Sequence, residues 1–263
     1  MYQNLNHARI ISKILNIELN QVIFEKVSLS EQQKDIIQSL IAQYDEGFPL
    51  DYILGQIIFC NYEFVINRNV LIPRPETEFW IKKLAAYLKT TNFATFDLVD
   101  VGAGCGIIGL TLSAHFQKTH LLDISPLALE VCQQNSEAFN NIKLEIVESN
   151  LLENLKIKNC DWLLVTNLPY VPLSDKTDVK INNISYEPAL AIFSGEDGLD
   201  LFRELLNQLT NKFPNCLPLE MYFELDPRNI KIAAKIAAKK FPQYNITTWL
   251  DENDLERVLV LRR

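Results

Sequence analysis

Over the first fifty residues the apolar positions recur at helical spacing. Ile10, Ile11, Ile14 and Leu15 form the stripe of an amphipathic helix over 8–15, and a second short helix is predicted around 19–27. Ser30 opens a third: it stands three residues before Gln33 in capping-box register, and Ile36, Ile37, Leu40, Ile41 and Tyr44 continue one face to a stop at Gly47 and Pro49. The period then changes. Residues 57–59 and 62–66, separated by Cys60-Asn61, read as short strands or a hairpin, followed by Val70-Leu71-Ile72 and a turn at Pro73-Arg74-Pro75. Helical spacing returns over 76–88, with Phe79, Trp80, Leu84 and Leu88 available to pack.

From residue 96 strands and helices alternate. Strands are predicted at 96–101, 119–122, 143–147, 162–165, 219–225 and 256–261, and helices at 107–115, 126–139, 199–210 and 230–240. Such alternation predicts a doubly wound α/β domain: a mostly parallel sheet with helices on both faces, its last strands suited to an antiparallel edge. The chain thus divides into a small helical domain over 1–50, a β-hairpin junction over 51–75 and a catalytic domain over 76–263. A length of 263 residues, 48% hydrophobic and 22% charged, suits one such domain with a smaller companion.

Charge and cysteine content narrow the function class. The net charge of -8 gives the whole molecule no general attraction for a nucleic-acid backbone. Five widely spaced cysteines, with no paired spacing, fit reduced thiols in a cytoplasmic protein, and the three histidines stand at no ligand spacing, so no metal is expected. The polar first residues lack the apolar core of a signal peptide. The most apolar stretch, Leu98 to Leu112, is broken by four glycines and an aspartate, so no membrane role is expected.

Candidate chemistry begins where the strand at 96–101 ends. Gly102-Ala103-Gly104-Cys105-Gly106 joins a strand to a helix, where glycines let the backbone turn sharply and approach a ligand. A dinucleotide fingerprint would need glycine where Ile107 stands, and no Gly-Lys-Ser/Thr follows to make a phosphate loop. Asp123 ends the next strand, 21 residues after Gly102, where a carboxylate can accept from both hydroxyls of a ribose; the other reading is a cap for the following helix, a task open to Ser125. A nucleoside cofactor without a pyrophosphate satisfies both elements. Thr166-Asn167-Leu168-Pro169-Tyr170 then follows the apolar strand at 162–165. The Asn167 side-chain oxygen and the Leu168 carbonyl can each accept one hydrogen of a planar NH2 group, with Tyr170 packed beside its plane and Pro169 stiffening the backbone. A plain turn at a strand end is the other reading of this segment.

Together these elements resemble the amino-group methyltransferases that use S-adenosylmethionine. Pro49-Leu-Asp-Tyr-Ile-Leu-Gly55, Leu71-Ile-Pro-Arg-Pro-Glu-Thr-Glu78, Tyr186-Glu-Pro-Ala-Leu190 and Glu196-Asp-Gly-Leu199 resemble more specifically the peptide chain release factor glutamine methyltransferases, the HemK/PrmC type, over nearly the whole chain. The resemblance implies methylation of the glutamine side-chain amide in the Gly-Gly-Gln motif of a release factor, with the helical domain docking that protein. It implies catalytic roles for Asn167, Leu168, Pro169 and Tyr170. Cofactor contacts are implied at Gly102, Ala103, Gly104, Cys105, Gly106, Asp123, Asn150, Leu151 and Asn167, and Arg74, Glu76 and Thr77 are placed at the border of the site. Four positions depart from the family pattern: Leu168 stands for proline, Asn150 for an acidic residue, Leu151 for an aromatic, and Cys105 for serine or threonine.

Two rivals remain at this point. An adenine-amino methyltransferase acting on RNA or DNA would use the same two acceptors, but the acidic charge and the Ile-Pro-Arg-Pro-Glu-Thr segment weigh against a direct nucleic-acid substrate. A catalytically silent protein-binding module would not need the intact Asn167 and glycine loop.

Overall fold

The computed structural model describes residues 4–24, 27–139, 142–158, 160–176 and 184–263. Three helices open the chain: α1 (Leu5–Leu15), α2 (Leu19–Phe24) and α3 (Glu31–Asp45). The predicted capping box closes α3, with Ser30 and Gln33 each accepting from the other's backbone N–H. The expected run of α2 to Val27 crosses residues outside those described. Ala8, Ile11, Val22 and Ile37 form a small core of their own, with Ile14, Leu15 and Ile41 packed against it.

A five-residue helix that the pattern did not announce, α4 (Leu50–Leu54), leads into β1 (Gln56–Phe59) and β2 (Tyr62–Val65), an antiparallel hairpin. Cys60 and Asn61 both take positive φ, 49° and 67°, the backbone of a two-residue turn whose twist matches that of the strands. Val70-Leu71-Ile72 belongs to no strand: the Val70 N–H donates to the Asn67 carbonyl at 3.2 Å, and the Val70 carbonyl accepts from the Tyr52 hydroxyl at 2.6 Å. Pro75 takes the first position of α5 (Pro75–Leu88), where its missing N–H costs nothing.

The large sheet contains β3 (Asp97–Val101), β4 (Lys118–Asp123), β5 (Leu144–Glu148), β6 (Trp162–Thr166), β7 (Glu220–Glu224), β8 (Asn245–Leu250) and β9 (Glu256–Arg262). Their order is β5-β4-β3-β6-β7-β9-β8, with β9 alone antiparallel to both neighbours. Connecting helices are α6 (Ile107–Leu112), α7 (Pro126–Ser136), α8 (Asp200–Lys212) and α9 (Ile230–Lys240). α6 passes into a 3-10 turn at Ser113–His115 where the pattern suggested one longer helix.

Period-two alternation divides the buried strand residues between two cores. Leu98, Leu121, Leu163, Val165 and Tyr222 face the side covered by α5, α6 and α7, while Val99, Leu122, Leu164, Met221 and Phe223 face α8 and α9. The expected doubly wound, mostly parallel sheet is therefore present. Its order reverses at β3, which opens a crevice at the carboxyl ends of β3, β4 and β6. The glycine loop, Asp123 and the Asn167 segment lie at those three ends, Asn150 and Leu151 follow the neighbouring β5, and Arg74, Glu76 and Thr77 lie at the start of α5.

The hairpin is not a free linker. Phe59, Phe64, Ile66, Val70 and Ile72 belong to the same core as Trp80, Leu98 and Phe139. Asn135 on α7 accepts from the Val65 N–H at 2.7 Å and donates to the Val65 and Cys105 carbonyls, each at 2.9 Å, which binds the hairpin to the glycine loop.

The expectation of five reduced thiols is not met. Cys160, just before β6, is joined by a disulfide to Cys216, after α8, across a separation of 56 residues. Cys60, Cys105 and Cys132 are free. No helix among the described residues is long and apolar enough to cross a membrane. Among those residues, no group of three or more His, Cys, Asp or Glu is placed to hold a metal ion.

Candidate active site

The crevice is a cavity walled by the glycine loop, the end of β4, the turn after β5, the segment after β6, and two coverings, residues 69–73 and 188–191. Of the residues singled out in the sequence, Gly102, Ala103, Gly104, Cys105, Asp123, Asn150, Leu151, Asn167, Leu168, Pro169 and Thr77 line it. Gly106, Tyr170, Arg74 and Glu76 are not in its wall.

The loop follows β3 with Gly102, Gly104 and Gly106 all at positive φ. A Cβ built on Gly104 would meet nothing within 4 Å, so this backbone faces open space that a cofactor can approach closely. Asp123 holds the loop's shape: Oδ2 accepts from the Gly104 N–H and Oδ1 from the Ser125 N–H, each at 2.8 Å. Burial nevertheless raises its pKa, and the second lone pair of each oxygen can take a ribose hydroxyl. Ser125 caps α7 by accepting from the Ala128 N–H. The cap of α7 is therefore Ser125 and not Asp123, and the Asp123 carboxylate instead braces the glycine loop.

Asn150 donates to Glu153 Oε1 at 3.0 Å, which leaves its oxygen as the acceptor end of the amide. Leu151 is buried at positive φ, 53°, an uncommon backbone for a branched side chain, and presents apolar surface to the cavity. Burial pushes the Cys105 thiol up to about 12, so no thiolate stands in this loop at neutral pH.

The segment after β6 is anchored on several sides. Thr166 donates to the Val101 carbonyl at 2.7 Å. Val171 N–H bonds to Ile192 O, and Ser194 N–H returns to Val171 O. Gly198, at φ 79°, lies so close to Tyr170 that a Cβ there would stand 2.1 Å from the Tyr170 carbonyl oxygen. The Glu-Asp-Gly-Leu motif therefore presses against the motif that bears Asn167. Tyr170 turns its hydroxyl toward Glu224 Oε1, 3.5 Å away, instead of into the cavity, and burial raises its pKa.

Arg74 joins two other motifs across 113 residues. Its guanidinium lies 2.6 Å from Glu187 of the Tyr-Glu-Pro-Ala-Leu segment, whose carboxylate is fully buried and has its pKa raised by that burial. Arg74 therefore ties the start of α5 to the covering that carries Pro188, Leu190 and Ala191. Thr77, one turn into α5, reaches the site itself: Asn167 Nδ2 donates to Thr77 Oγ1 at 3.2 Å. Thr77 in turn donates to Glu224 Oε2 at 2.8 Å, and Trp80 Nε1 donates to the same oxygen at 2.7 Å. Glu224 was not singled out from the sequence; its signal there is a charged residue at the end of an apolar strand.

The family model of the methyltransferase small domain matches residues 77–185. The chain is 34% identical over 220 residues to the release factor glutamine methyltransferase of Borreliella burgdorferi, covering 82% of this chain and 73% of that one. It is also 34% identical to the protein of the same name from Leptospira interrogans, over 76% of this chain and 71% of that one. The chain belongs to the release factor glutamine methyltransferases. A solved structure of the T. Thermophilus 16S rRNA N2 G1207 methyltransferase, in complex with AdoMet and guanosine, matches with a TM-score of 0.53 at 16% identity, over 79% of this chain and 49% of that one, a likeness of fold.

As a member of this family the chain is an S-adenosylmethionine-dependent methyltransferase, and its cavity fits that cofactor. The open face of Gly104 admits the cofactor's chain, the Asp123 carboxylate suits the ribose hydroxyls, and the Asn150 oxygen with the Leu151 side chain suits a purine bearing an amino group.

Proposed function

We propose that this chain methylates the side-chain amide nitrogen of the glutamine in the Gly-Gly-Gln motif of a peptide chain release factor. The observation that carries this reading is the orientation of Asn167: its NH2 end is engaged by Thr77, so its oxygen is the end left to accept, and Asn167 and Leu168 both line the cavity. Two acceptors on consecutive residues, the Asn167 side-chain oxygen and the Leu168 carbonyl, would suit the two hydrogens of a primary amide and fix its plane.

S-adenosylmethionine supplies an electrophilic methyl group on a sulfonium. The chain's own residues orient the acceptor. An amide nitrogen is a poor nucleophile because its lone pair is delocalised into the carbonyl, and hydrogen bonds to both of its hydrogens favour the partly pyramidal form in which that pair is localised. Among the described residues lining the cavity, Asp123 is the sole carboxylate, and its two oxygens are committed to the glycine loop and to Ser125. No side chain there is placed as a strong base, so the amide proton leaves after methyl transfer, when the nitrogen has become acidic.

Among the described residues, none before Asn69 contributes to the cavity wall. This suits a division of labour in which the helical bundle contacts the release factor and the hairpin and sheet hold the cofactor. A protein acceptor is also favoured over nucleic acid by the net charge of -8.

The test uses S-adenosylmethionine labelled in its methyl group with three acceptors: a release factor, the same factor with alanine for the motif glutamine, and stripped nucleic acid. Label is expected in the intact factor alone. Equal label in the alanine variant, or label in nucleic acid, contradicts the proposal.

A further inference from the structure

Asn and Gln amides are nearly symmetric in shape, and rotating one by half a turn exchanges an acceptor for a donor. A site that works by presenting an oxygen must therefore fix which end faces the substrate. In this chain the direction is set by side chains from two other elements, neither of which need touch the substrate amide.

The chain of donors begins at Trp80, whose indole N–H can only donate. It donates to Glu224 Oε2, at the carboxyl end of β7, and so marks that oxygen as an acceptor. Thr77 Oγ1 lies 2.8 Å from the same oxygen, and its one hydrogen is committed there. With its hydrogen spent, Thr77 can only accept from its other neighbour, and Asn167 Nδ2 donates to it at 3.2 Å. The Asn167 oxygen is thereby turned away from Thr77. Trp80, Thr77 and Glu224 are all buried, the first two 1% and 2% exposed, so water does not stand in for the links among these three.

Resting on the reading of Asn167 given above, we propose that Thr77 and Glu224 are positioning residues for methyl transfer: Glu224 fixes the direction of the Thr77 hydroxyl, and Thr77 fixes the Asn167 amide with its oxygen toward the substrate. Reversing the amide would set the Asn167 oxygen against a Thr77 oxygen that has no hydrogen to give, and would aim an NH2 group at the substrate's own NH2.

Conservative and disruptive variants separate positioning from mere support. In Thr77→Ser the hydroxyl remains. In Glu224→Gln the indole N–H keeps the carbonyl oxygen where Oε2 stands, so Thr77 still has its acceptor. Thr77→Val and Glu224→Leu keep approximate shape and remove the polarity.

The experiment measures single-turnover methyl transfer to a release factor in the full chain, with both substrates saturating, alongside Asn167→Ala and alongside calorimetric titration of S-adenosylmethionine. Thr77→Ser and Glu224→Gln are expected to stay within about threefold of the unaltered enzyme, while Thr77→Val and Glu224→Leu lose about ten- to a hundredfold in rate with cofactor affinity little changed.

A second readout is specific to orientation. A release factor carrying glutamate for its motif glutamine offers acceptors only, so it meets two facing oxygens in the unaltered site and inhibits weakly. Thr77→Val lets the Asn167 NH2 turn inward, and the glutamate variant is expected to inhibit that enzyme more strongly, relative to the natural factor.

If Asn167→Ala lowers the rate but folded Thr77→Val does not, the positioning role is wrong and the reading of Asn167 survives. If Asn167→Ala itself has no effect, that reading fails instead. Should Thr77→Val or Glu224→Leu fail to fold, the conservative pair decides: a loss of about a hundredfold in folded Thr77→Ser or Glu224→Gln overturns the proposal.

Discussion

At the scale of single residues, the site gathers groups whose ordinary chemistry is altered by burial. Asp100, at the heart of β3, shows this most clearly. Its Oδ2 accepts from the Gly109 N–H at 2.8 Å, but its Oδ1 has no partner, and burial raises its pKa to about 7. A folded pKa above the unfolded value of about 4 means that the folded state holds a proton the unfolded state has lost between those values. Stability from this group therefore falls as pH rises from about 4 to 7, and the full cost is present above 7. Asp100→Asn keeps an acceptor for Gly109 and removes that cost. Urea unfolding should show the variant gaining stability relative to the unaltered chain as pH rises across that window. A constant difference between the two at pH 4 and pH 8 would contradict the assignment.

Several site residues were legible in the sequence because their chemistry is carried locally. The glycine loop, Asp123 and Asn167 each follow an apolar strand, and a parallel sheet aligns such strand ends along one edge. Glu224, Thr77 and Trp80 were harder to read together, because their shared oxygen links positions 147 and 144 residues apart. Arg74 and Glu187 were each noticed in a motif, but only folding shows that the two motifs are one ion pair.

At the scale of elements, the strongest signals were long helices and fully buried strands. β6, buried at every position, stands out as an apolar run, and β3, also fully buried, shows as apolar residues interrupted by Asp97 and Asp100. β8, Asn-Ile-Thr-Thr-Trp-Leu, is an edge strand with no fully buried residue, and its mixed polarity hid it. α4 has five residues, too few for a helical period to show. The disulfide was invisible because Cys160 and Cys216 are brought together by two separate connections at the foot of the sheet, with no local spacing to announce it.

The hairpin's attachment carries an element-scale prediction. Asn135 supplies three hydrogen bonds from α7, two to the Val65 backbone and one to the Cys105 carbonyl. Asn135→Ala would take this partner from the half-buried Val65 N–H and carbonyl and from the buried Cys105 carbonyl, at a cost of about 3 kcal/mol. Chemical unfolding monitored by tryptophan fluorescence should show that loss together with weaker cofactor binding, since Cys105 lies in the cavity wall. A change within about 0.5 kcal/mol, the size of an ordinary surface substitution, would mean that water replaces these bonds readily.

At the scale of the whole molecule, the hairpin packs with the large sheet and the first helices pack among themselves. Residues 51–75 read as a junction in the sequence, yet their apolar side chains complete the core under α5 and α7, and Asn69, Val70, Leu71 and Pro73 line the cavity. The helical bundle has a separate core. A chain beginning at Phe48 should therefore keep S-adenosylmethionine affinity close to that of the full chain and lose most methylation of intact release factor. Removal of residues 1–69 should instead cost cofactor binding as well. Full methylation rates from the shorter of the two deletions would contradict a docking role for the bundle.

Asn167 and Leu168 are the proposed paired acceptors for the substrate amide, one through a side-chain oxygen and one through a backbone carbonyl. Single-turnover methyl transfer to a release factor, with both substrates saturating, tests this pairing most directly in Asn167→Ala and Leu168→Pro. Removing the side-chain oxygen should slow transfer by about a hundred- to a thousandfold, as for other preorganised catalytic hydrogen bonds, whereas proline at 168 keeps the carbonyl and should remain active. Near-normal transfer by Asn167→Ala, with transfer abolished in a folded Leu168→Pro, would contradict the pairing.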